Sequence, residues 1–470
     1  MNIKSISYYL GLFCFPISIL AFINILYSSY FDYFLNINSY FITLTFSFIT
    51  GLGLLFLGKK SKKRINFIDQ LLLIIFVYLL TSFFIGMPFY LSNYQVTFLN
   101  SLFEAISGVT GTGFSIFENI KYLDPTLILW RSSSQWIGGL YFLIFIILIF
   151  SNKQFNYKMN ELSYSGDGGI NSENNIKNLL LRIFILYSVL SFIIFLSLNL
   201  SDVRMFNSLN LTMSLISSGG FIPTDSLDKI IKSNPQKIIF IFSLFISLLN
   251  FFLIPNMFVK KVIIRDHKED FCLLVLAIIF ILLIYLNNYS GLDIIISVLS
   301  SLSNSGLSLL NSDGNLSLYF ILITIVGGSI ISNTSGIKFT RIYILSKTVS
   351  SEIIKLISPN SVVNKNIFNS DKKITDDYIK ISFLIFISFF INLFILSGVL
   401  VFESIDFEKS FKLSILTITN TTTSSMYEVG QVNFANLLTT SKLSLIIFMI
   451  IGKIELISVF LIVKKFFFKD

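Results

Sequence analysis

The sequence predicts an all-α polytopic membrane protein with ten transmembrane helices, an N-terminal helix pair followed by four repeated helix–loop–helix units. Three observations predict it. The 470 residues are 54% hydrophobic and 13% charged, with a mean hydropathy of +0.79, against roughly 45–50% apolar and about 25% charged in soluble domains. Apolar stretches of about 20 residues, enough to cross a hydrocarbon core, recur along the chain. Between paired stretches lie four alike segments, too short to cross and too apolar for plain loops.

The ten spans are Tyr8–Tyr27, Tyr40–Leu57, Leu71–Leu91, Leu127–Phe150, Leu179–Leu200, Ile238–Val259, Phe271–Leu286, Leu316–Leu345, Ile381–Phe402 and Leu443–Val463. The first follows only Lys4 and lacks a small-residue cleavage site, so it reads as a helix rather than a signal peptide. Basic residues follow alternate spans: Lys59, Lys60, Lys62, Lys63 and Arg64; Lys260, Lys261, Arg265 and Lys268; Lys347, Lys355, Lys365, Lys372 and Lys373; Lys464, Lys465 and Lys469. With ten crossings these share one side, predicted to be cytoplasmic, as are both termini. The opposite loops carry Asp124, Asp202, Asp225, Asp228, Asp293, Asp313, Glu403, Asp406 and Glu408. The net charge of +9 therefore belongs to membrane topology and does not call for nucleic acid. Cys14 and Cys272 offer no disulfide framework or metal spacing, and the one histidine, His267, sits in a basic loop. Metal-dependent or histidine-based catalysis is not expected, and an enzyme is not predicted.

The four segments align without gaps. Asn100 to Phe114 reads NSLFEAISGVTGTGF, Asn207 to Phe221 NSLNLTMSLISSGGF, Asp293 to Leu307 DIIISVLSSLSNSGL, and Lys409 to Thr423 KSFKLSILTITNTTT. Gly113, Gly220 and Gly306 occupy one offset, where the fourth segment has Thr422. The chain divides accordingly into a helix pair (1–66), repeats over 67–152, 177–262, 269–348 and 378–470, and a cytoplasmic linker (349–377). Non-helical backbone at membrane depth is tolerated only where protein buries it or it lines a watery cavity. Four such strands on one axis could replace a cation's hydration shell with backbone carbonyls, the preceding helices pointing their negative ends inward. A single segment of this kind would read as an amphipathic outer loop capped by turn residues. Four at constant spacing favour a pore.

At these residues the chain resembles the Trk/Ktr/HKT cation transporter superfamily, specifically the bacterial TrkH-type potassium uptake subunit. The likeness extends from Gly86 to Ser92, through Phe103-Glu104-Ala105, Ser107-Gly108 and Thr110-Gly111-Thr112-Gly113, to Trp130-Arg131 with Gln135-Trp136-Ile137-Gly138-Gly139. It continues at Gly327-Gly328, Ser332-Asn333-Thr334-Ser335-Gly336-Ile337-Lys338, Arg341 and Gly452-Lys453-Ile454-Glu455. The two extra N-terminal spans favour the TrkH branch.

The resemblance implies potassium uptake across the cytoplasmic (inner) membrane through one four-fold pseudosymmetric pore, gated from the cytoplasmic side. The filter residues it implies are Thr110, Gly111, Thr112, Gly113, Ser218, Gly219, Gly220, Asn304, Ser305, Gly306, Asn420, Thr421 and Thr422. Lys453 with Gly327, Gly328, Ser335 and Gly336 would form the gate. It also implies a homodimer and a cytoplasmic nucleotide-binding regulatory subunit of TrkA type, with potassium as substrate and no cofactor in this chain. Gly166, Gly168 and Gly169 lack the strand–turn–helix frame of a dinucleotide fingerprint.

Thr422 departs from the family, which has glycine there. If that position needs positive φ, a β-branched residue costs on the order of 1–3 kcal/mol; otherwise the strand relaxes, and Asn420, Thr421, Thr422 and Thr423 offer side-chain oxygens. A sodium or weakly selective channel on the same scaffold is the second reading. Lys453, central in its span, would face the pore or pair with a carboxylate; Glu455, two residues on, lies on a different helix face. Gating and a structural ion pair both stay open for it. The eighth span reads as a mobile intramembrane loop or a kinked helix packed through small residues. Glu104 would tune the outer mouth or support the filter, and Arg131 reads as an anchor. A membrane-embedded transferase would need acidic, His or Cys clusters at one interface, and none is evident. An inverted-repeat transporter does not account for four alike segments on one side.

Overall fold

The computed structural model describes residues 2–59, 65–150, 173–260, 267–286, 291–310, 314–361, 366–369, 373–430 and 432–454. Glu455, the C-terminal lysines, the loop holding Gly166 and most of the basic residues after the second and sixth spans lie outside them. The described residues are helical apart from short loops and one isolated bridge between Asn366 and Lys373.

Two long helices, α1 (Ile3–Tyr30) and α2 (Ile37–Gly58), form the N-terminal pair. They pack closely because small residues face each other. A β-carbon on Gly11 would stand 2.8 Å from the Gly51 carbonyl oxygen, and Ser18 and Ser47 share a hydrogen bond of 2.7 Å. The pair is tied to the bundle at its outer corner. Asn36 donates to Asp124 at 3.0 Å and Tyr40 to Thr126 at 3.2 Å.

The remaining helices are α3 (Phe67–Tyr90), α4 (Phe98–Thr110), α5 (Pro125–Phe150), α6 (Glu173–Leu200), α7 (Met205–Ile216), α8 (Asn234–Leu248), α9 (Leu253–Lys260), α10 (Lys268–Tyr285), α11 (Leu292–Leu302), α12 (Gly314–Val326), α13 (Phe339–Ile357), α14 (Asp376–Phe402), α15 (Phe407–Ile418) and α16 (Thr439–Ile454). Six of them, α1, α2, α3, α5, α6 and α14, are long and apolar enough to cross a bilayer. Helix α5 is the hub, with 83% of its apolar window buried, against 22% for α2 and 28% for α6. Leucine, isoleucine and phenylalanine face outward from the peripheral helices, as Phe22, Phe46, Phe192 and Phe394 do. Such a surface is stable only in lipid.

The sixth predicted span, Ile238–Val259, is not continuous. Helix α8 starts on a capping box of Ser233 and Gln236 with proline in its first turn, then ends at Leu248, and α9 begins at Leu253. Pro255 lacks the N–H that a continuous helix would use. The eighth span is interrupted as well, between Val326 and Phe339. The two breaks satisfy each other: Phe251 N–H donates to Ile331 O at 2.8 Å and Ser329 N–H to Leu248 O at 3.1 Å. The linker expected from residue 349 is helical at first, since α13 runs to Ile357.

Candidate functional site

The four aligned segments fold as short helices α4, α7, α11 and α15, each followed by a left-handed residue. These are Gly111, Ser218, Asn304 and Asn420, with φ of 77°, 56°, 59° and 50°, all eleven residues into their segments. Each N–H bonds the carbonyl three residues back, on Gly108, Leu215, Ser301 and Thr417, at 3.0, 3.1, 3.2 and 3.2 Å. A left-handed residue at a helix end turns the chain sharply away from its axis, so each segment leaves its helix by the same turn.

Two residues later the strands meet. A β-carbon on Gly113 would lie 2.9 Å from both Gly220 Cα and Thr422 Cβ, and one on Gly306 would lie 2.6 Å from Thr422 O. A β-carbon on Gly220 would meet the Thr422 side chain and stand 2.9 Å from Ser305 O. Gly113, Gly220, Gly306 and Thr422 therefore converge on one level, where the Thr422 side chain and neighbouring backbone leave no room for a side chain at the three glycines. The conformations differ in alternation: Gly113 and Gly306 are left-handed, with φ of 78° and 69°, while Gly220 and Thr422 are not. The strain considered for threonine at this offset does not arise. Its side chain instead lies among the three glycines, and its Oγ1 donates to Gly113 O at 2.8 Å.

Below this level, hydroxyls pair across the turn. Thr110 with Thr112, Ser303 with Ser305 and Thr419 with Thr421 are 2.8, 3.2 and 2.9 Å apart. The second strand has Gly219 in the corresponding place. A β-carbon there would collide with Gln135, whose Oε1 accepts the Phe221 N–H at 3.2 Å. Gln135 is thus a partner of the second strand, which its position within a motif did not reveal. Gly138 and Gly139 of that motif let α5 approach: a β-carbon on Gly139 would stand 2.8 Å from Tyr187 Oη and 2.7 Å from Ser217 Cβ.

Glu104 and Arg131 form a buried ion pair of 2.7 Å behind the first strand. The carboxylate also accepts the Ile116 N–H at 2.8 Å, and the guanidinium donates to Ser115 Oγ at 3.0 Å. Arg131 stacks 4.2 Å over the Phe221 ring, which joins the first two strands. Both residues are supports rather than outer-mouth charges. These bonds and the ring contact offset part of the cost of burying the pair, while Arg131 Nη1 has no hydrogen-bond partner among the described residues.

On the other side of the strands, Lys453 is buried with its Nζ 3.7 Å from where a Gly111 β-carbon would stand. It donates to Asn333 O at 3.0 Å and lies 4.3 Å over the Phe142 ring. The segment between α12 and α13 holds the other predicted gate residues. Gly327 and Gly336 are left-handed, at φ of 66° and 75°, and the segment closes on itself through Ile337 N–H to Ile325 O at 3.1 Å. Lys338 Nζ is ringed by the oxygens of Ser329, Ser332 and Thr334, at 3.2, 3.1 and 2.5 Å to their carbonyls. Asn333 Nδ2 reaches Ile216 O, at the end of α7, at 2.6 Å. Ser335, Gly336, Lys338, Lys453 and Phe142 line one narrow cleft. All the predicted filter and gate residues therefore lie within the described region and cluster around one locus.

The "Cation transport protein" family model of TrkH matches residues 36–287 and 311–469. The chain belongs to the TrkH family of cation transport proteins. It is a multi-pass membrane transporter and not an enzyme. Relatives include a cation transporter of Methanocaldococcus jannaschii, 26% identical over 401 residues, 83% of this chain and 81% of that protein. The Trk system potassium uptake protein TrkG of Escherichia coli is 25% identical over 453 residues, 92% of each chain. Among solved structures, the potassium transporter TrkH of Vibrio parahaemolyticus superposes with a TM-score of 0.88 at 17% identity, over 98% of each chain. The fold is therefore that of TrkH.

Proposed function

We propose that this TrkH-family chain carries potassium into the cell along a single axis lined by the strands after α4, α7, α11 and α15. The observation that carries this reading is the meeting of Gly113, Gly220, Gly306 and Thr422 on one level, each strand following a helix whose negative end points toward it. Backbone oxygens held in that way can stand in for a hydration shell. Ten spans, four units about one pore and a cytoplasmic-membrane location with both termini inside complete the proposal. A homodimer and a cytoplasmic nucleotide-binding subunit of TrkA type belong to it by family likeness and by the names of the Trk system relatives.

Lys453 is the proposed gate element. An ammonium just below the strands is an electrostatic barrier to cations, and its bond to Asn333 O links it to the segment that would have to move. Rubidium uptake by purified protein in liposomes, with sodium as competitor, tests the function. Uptake that potassium suppresses and sodium does not is the expected result; liposomes that take up neither ion refute it.

A second reading, a sodium or weakly selective pathway, is favoured by one observation. The Thr422 hydroxyl occupies the Gly113 carbonyl, which leaves one oxygen fewer to face an ion.

A further inference from the structure

We infer that Asn304 and Asn420 are positioning residues that stitch three of the four strands together, and that ion discrimination depends on these stitches. The inference rests on the pore reading above. Both residues hold the left-handed turn position, where glycine would meet the backbone requirement alone, as Gly111 does. Their side chains do something glycine cannot.

Asn420 Nδ2 donates to Thr112 Oγ1 of the first strand at 2.9 Å and to Met449 O of α16 at 2.9 Å. Asn304 Nδ2 donates to Thr421 Oγ1 of the fourth strand at 3.2 Å and to Thr324 O of α12 at 2.8 Å. The arrangement is the same twice. One amide hydrogen goes to the neighbouring strand, one residue past its own turn, and the other to the helix that follows the strand within its own unit. The third strand is thereby tied to the fourth and the fourth to the first. The remaining two junctions lack this tie: Gly111 has no side chain, and Ser218 Oγ has no hydrogen-bond partner among the described residues.

Asn304 Oδ1 and Asn420 Oδ1 are buried with no hydrogen-bond partner among the described residues, so the tie is carried by the amide hydrogens alone. Asn420 Oδ1 lies against α16, 3.0 Å from the place a Gly452 β-carbon would take, so the group is turned toward the helix. On this inference Asn304 and Asn420, read from sequence as ion ligands, take a bracing role through their amide hydrogens. Thr112 and Thr421 each accept an asparagine N–H and donate their hydroxyl hydrogen to Thr110 or Thr419, whose own hydrogens go to Ile106 O and Ile415 O. A cage that discriminates ions by the spacing or number of its oxygens needs its walls held, and two amides hold half of this one.

The test is a double-mutant cycle on full-length protein in liposomes, with rubidium and sodium uptake measured separately. Asn420→Gly and Thr112→Val should each lower the rubidium-to-sodium ratio about fivefold, the scale of one hydrogen bond's net worth. The double variant should lose less than the product of the two singles, since the Asn420–Thr112 contact is broken in all three. Asn304→Gly, Thr421→Val and their double should behave alike, and Thr112→Ser, which keeps the hydroxyl, should retain the wild-type ratio. If an asparagine variant does not fold, the threonine variants still decide.

Ratios unchanged in the single variants overturn the inference while leaving cation transport standing. So do multiplicative losses in the doubles, which would make asparagine and threonine independent ligands. A wild-type ratio of one also overturns it. Wild-type protein that passes neither ion overturns the pore reading and the inference together.

Discussion

Thr422 Oγ1 donates to the Gly113 carbonyl oxygen at 2.8 Å, joining the first and fourth strands at the level where all four converge. The bond ties up an oxygen and also places a β-branched side chain among three glycines. Thr422→Gly should free the carbonyl and open the axis. The expected outcome in liposomes is faster rubidium uptake and a higher rubidium-to-sodium ratio. Thr422→Val keeps the bulk and loses the bond, so it should leave uptake slow. Identical selectivity in wild type and Thr422→Gly would remove Thr422 from any account of discrimination.

The Glu104–Arg131 pair predicts a stability effect. Removing one partner strands a charge in a buried site, at a cost of about 3–5 kcal/mol. Glu104→Gln and Arg131→Met should each lower the thermal unfolding midpoint in detergent strongly, and the double variant by less than their sum. Arg131→Lys should not rescue. Lysine lacks the fork that reaches Glu104 and Ser115 together and the flat face that stacks on Phe221.

Much of this arrangement was legible in the sequence, for a physical reason. Residues that form the convergence are chosen by sterics and backbone handedness, and these select glycine at fixed offsets: Gly113, Gly220 and Gly306 stand out without a structure. The glycines of the 327–336 segment were legible in the same way. Residues that hold the convergence by hydrogen bonds were not. Gln135, Asn333 and Lys338 are polar residues inside recognisable motifs, and nothing local says whether an amide or an ammonium faces an ion or a neighbouring carbonyl. The sixth span failed differently. Its mostly apolar run extends from Ile238 to Ile254, and hydropathy does not register that Asn250 and Pro255 break the helix. Asn420 illustrates the limit: the left-handed turn is a local property, whereas its bond to Thr112 spans more than 300 positions in the chain.

Lys453 predicts a gating effect distinct from selectivity. Its ammonium stands beneath the strands and donates to Asn333 O. Lys453→Gln removes the charge and should raise rubidium uptake several-fold while leaving the rubidium-to-sodium ratio unchanged. Lys453→Arg keeps the charge and should stay near wild type. Asn333→Ala cuts the segment's tie to Ile216 O at the end of α7 and should raise uptake in the same way. A changed ratio in Lys453→Gln would place the lysine in the filter's own chemistry instead.

Two adjacent carboxylates at the start of α10 hold the two helix breaks, one each. Glu269 Oε1 accepts the Ile330 N–H at 2.8 Å and the Thr340 hydroxyl at 2.5 Å. Asp270 Oδ1 accepts the Asn250 N–H at 2.9 Å. Backbone amides freed by a break must find acceptors when buried, since each orphan costs about 1–3 kcal/mol. Hydrogen exchange separates the two clamps. Glu269→Ala should speed exchange in peptides covering 327–338 more than in those covering 249–253, and Asp270→Ala the reverse. The breaks also bond each other, through Phe251 to Ile331 and Ser329 to Leu248, so some exchange should spread from one to the other. Equal acceleration at both sites in both variants would mean that the breaks open as one cooperative unit, and that neither carboxylate controls its own.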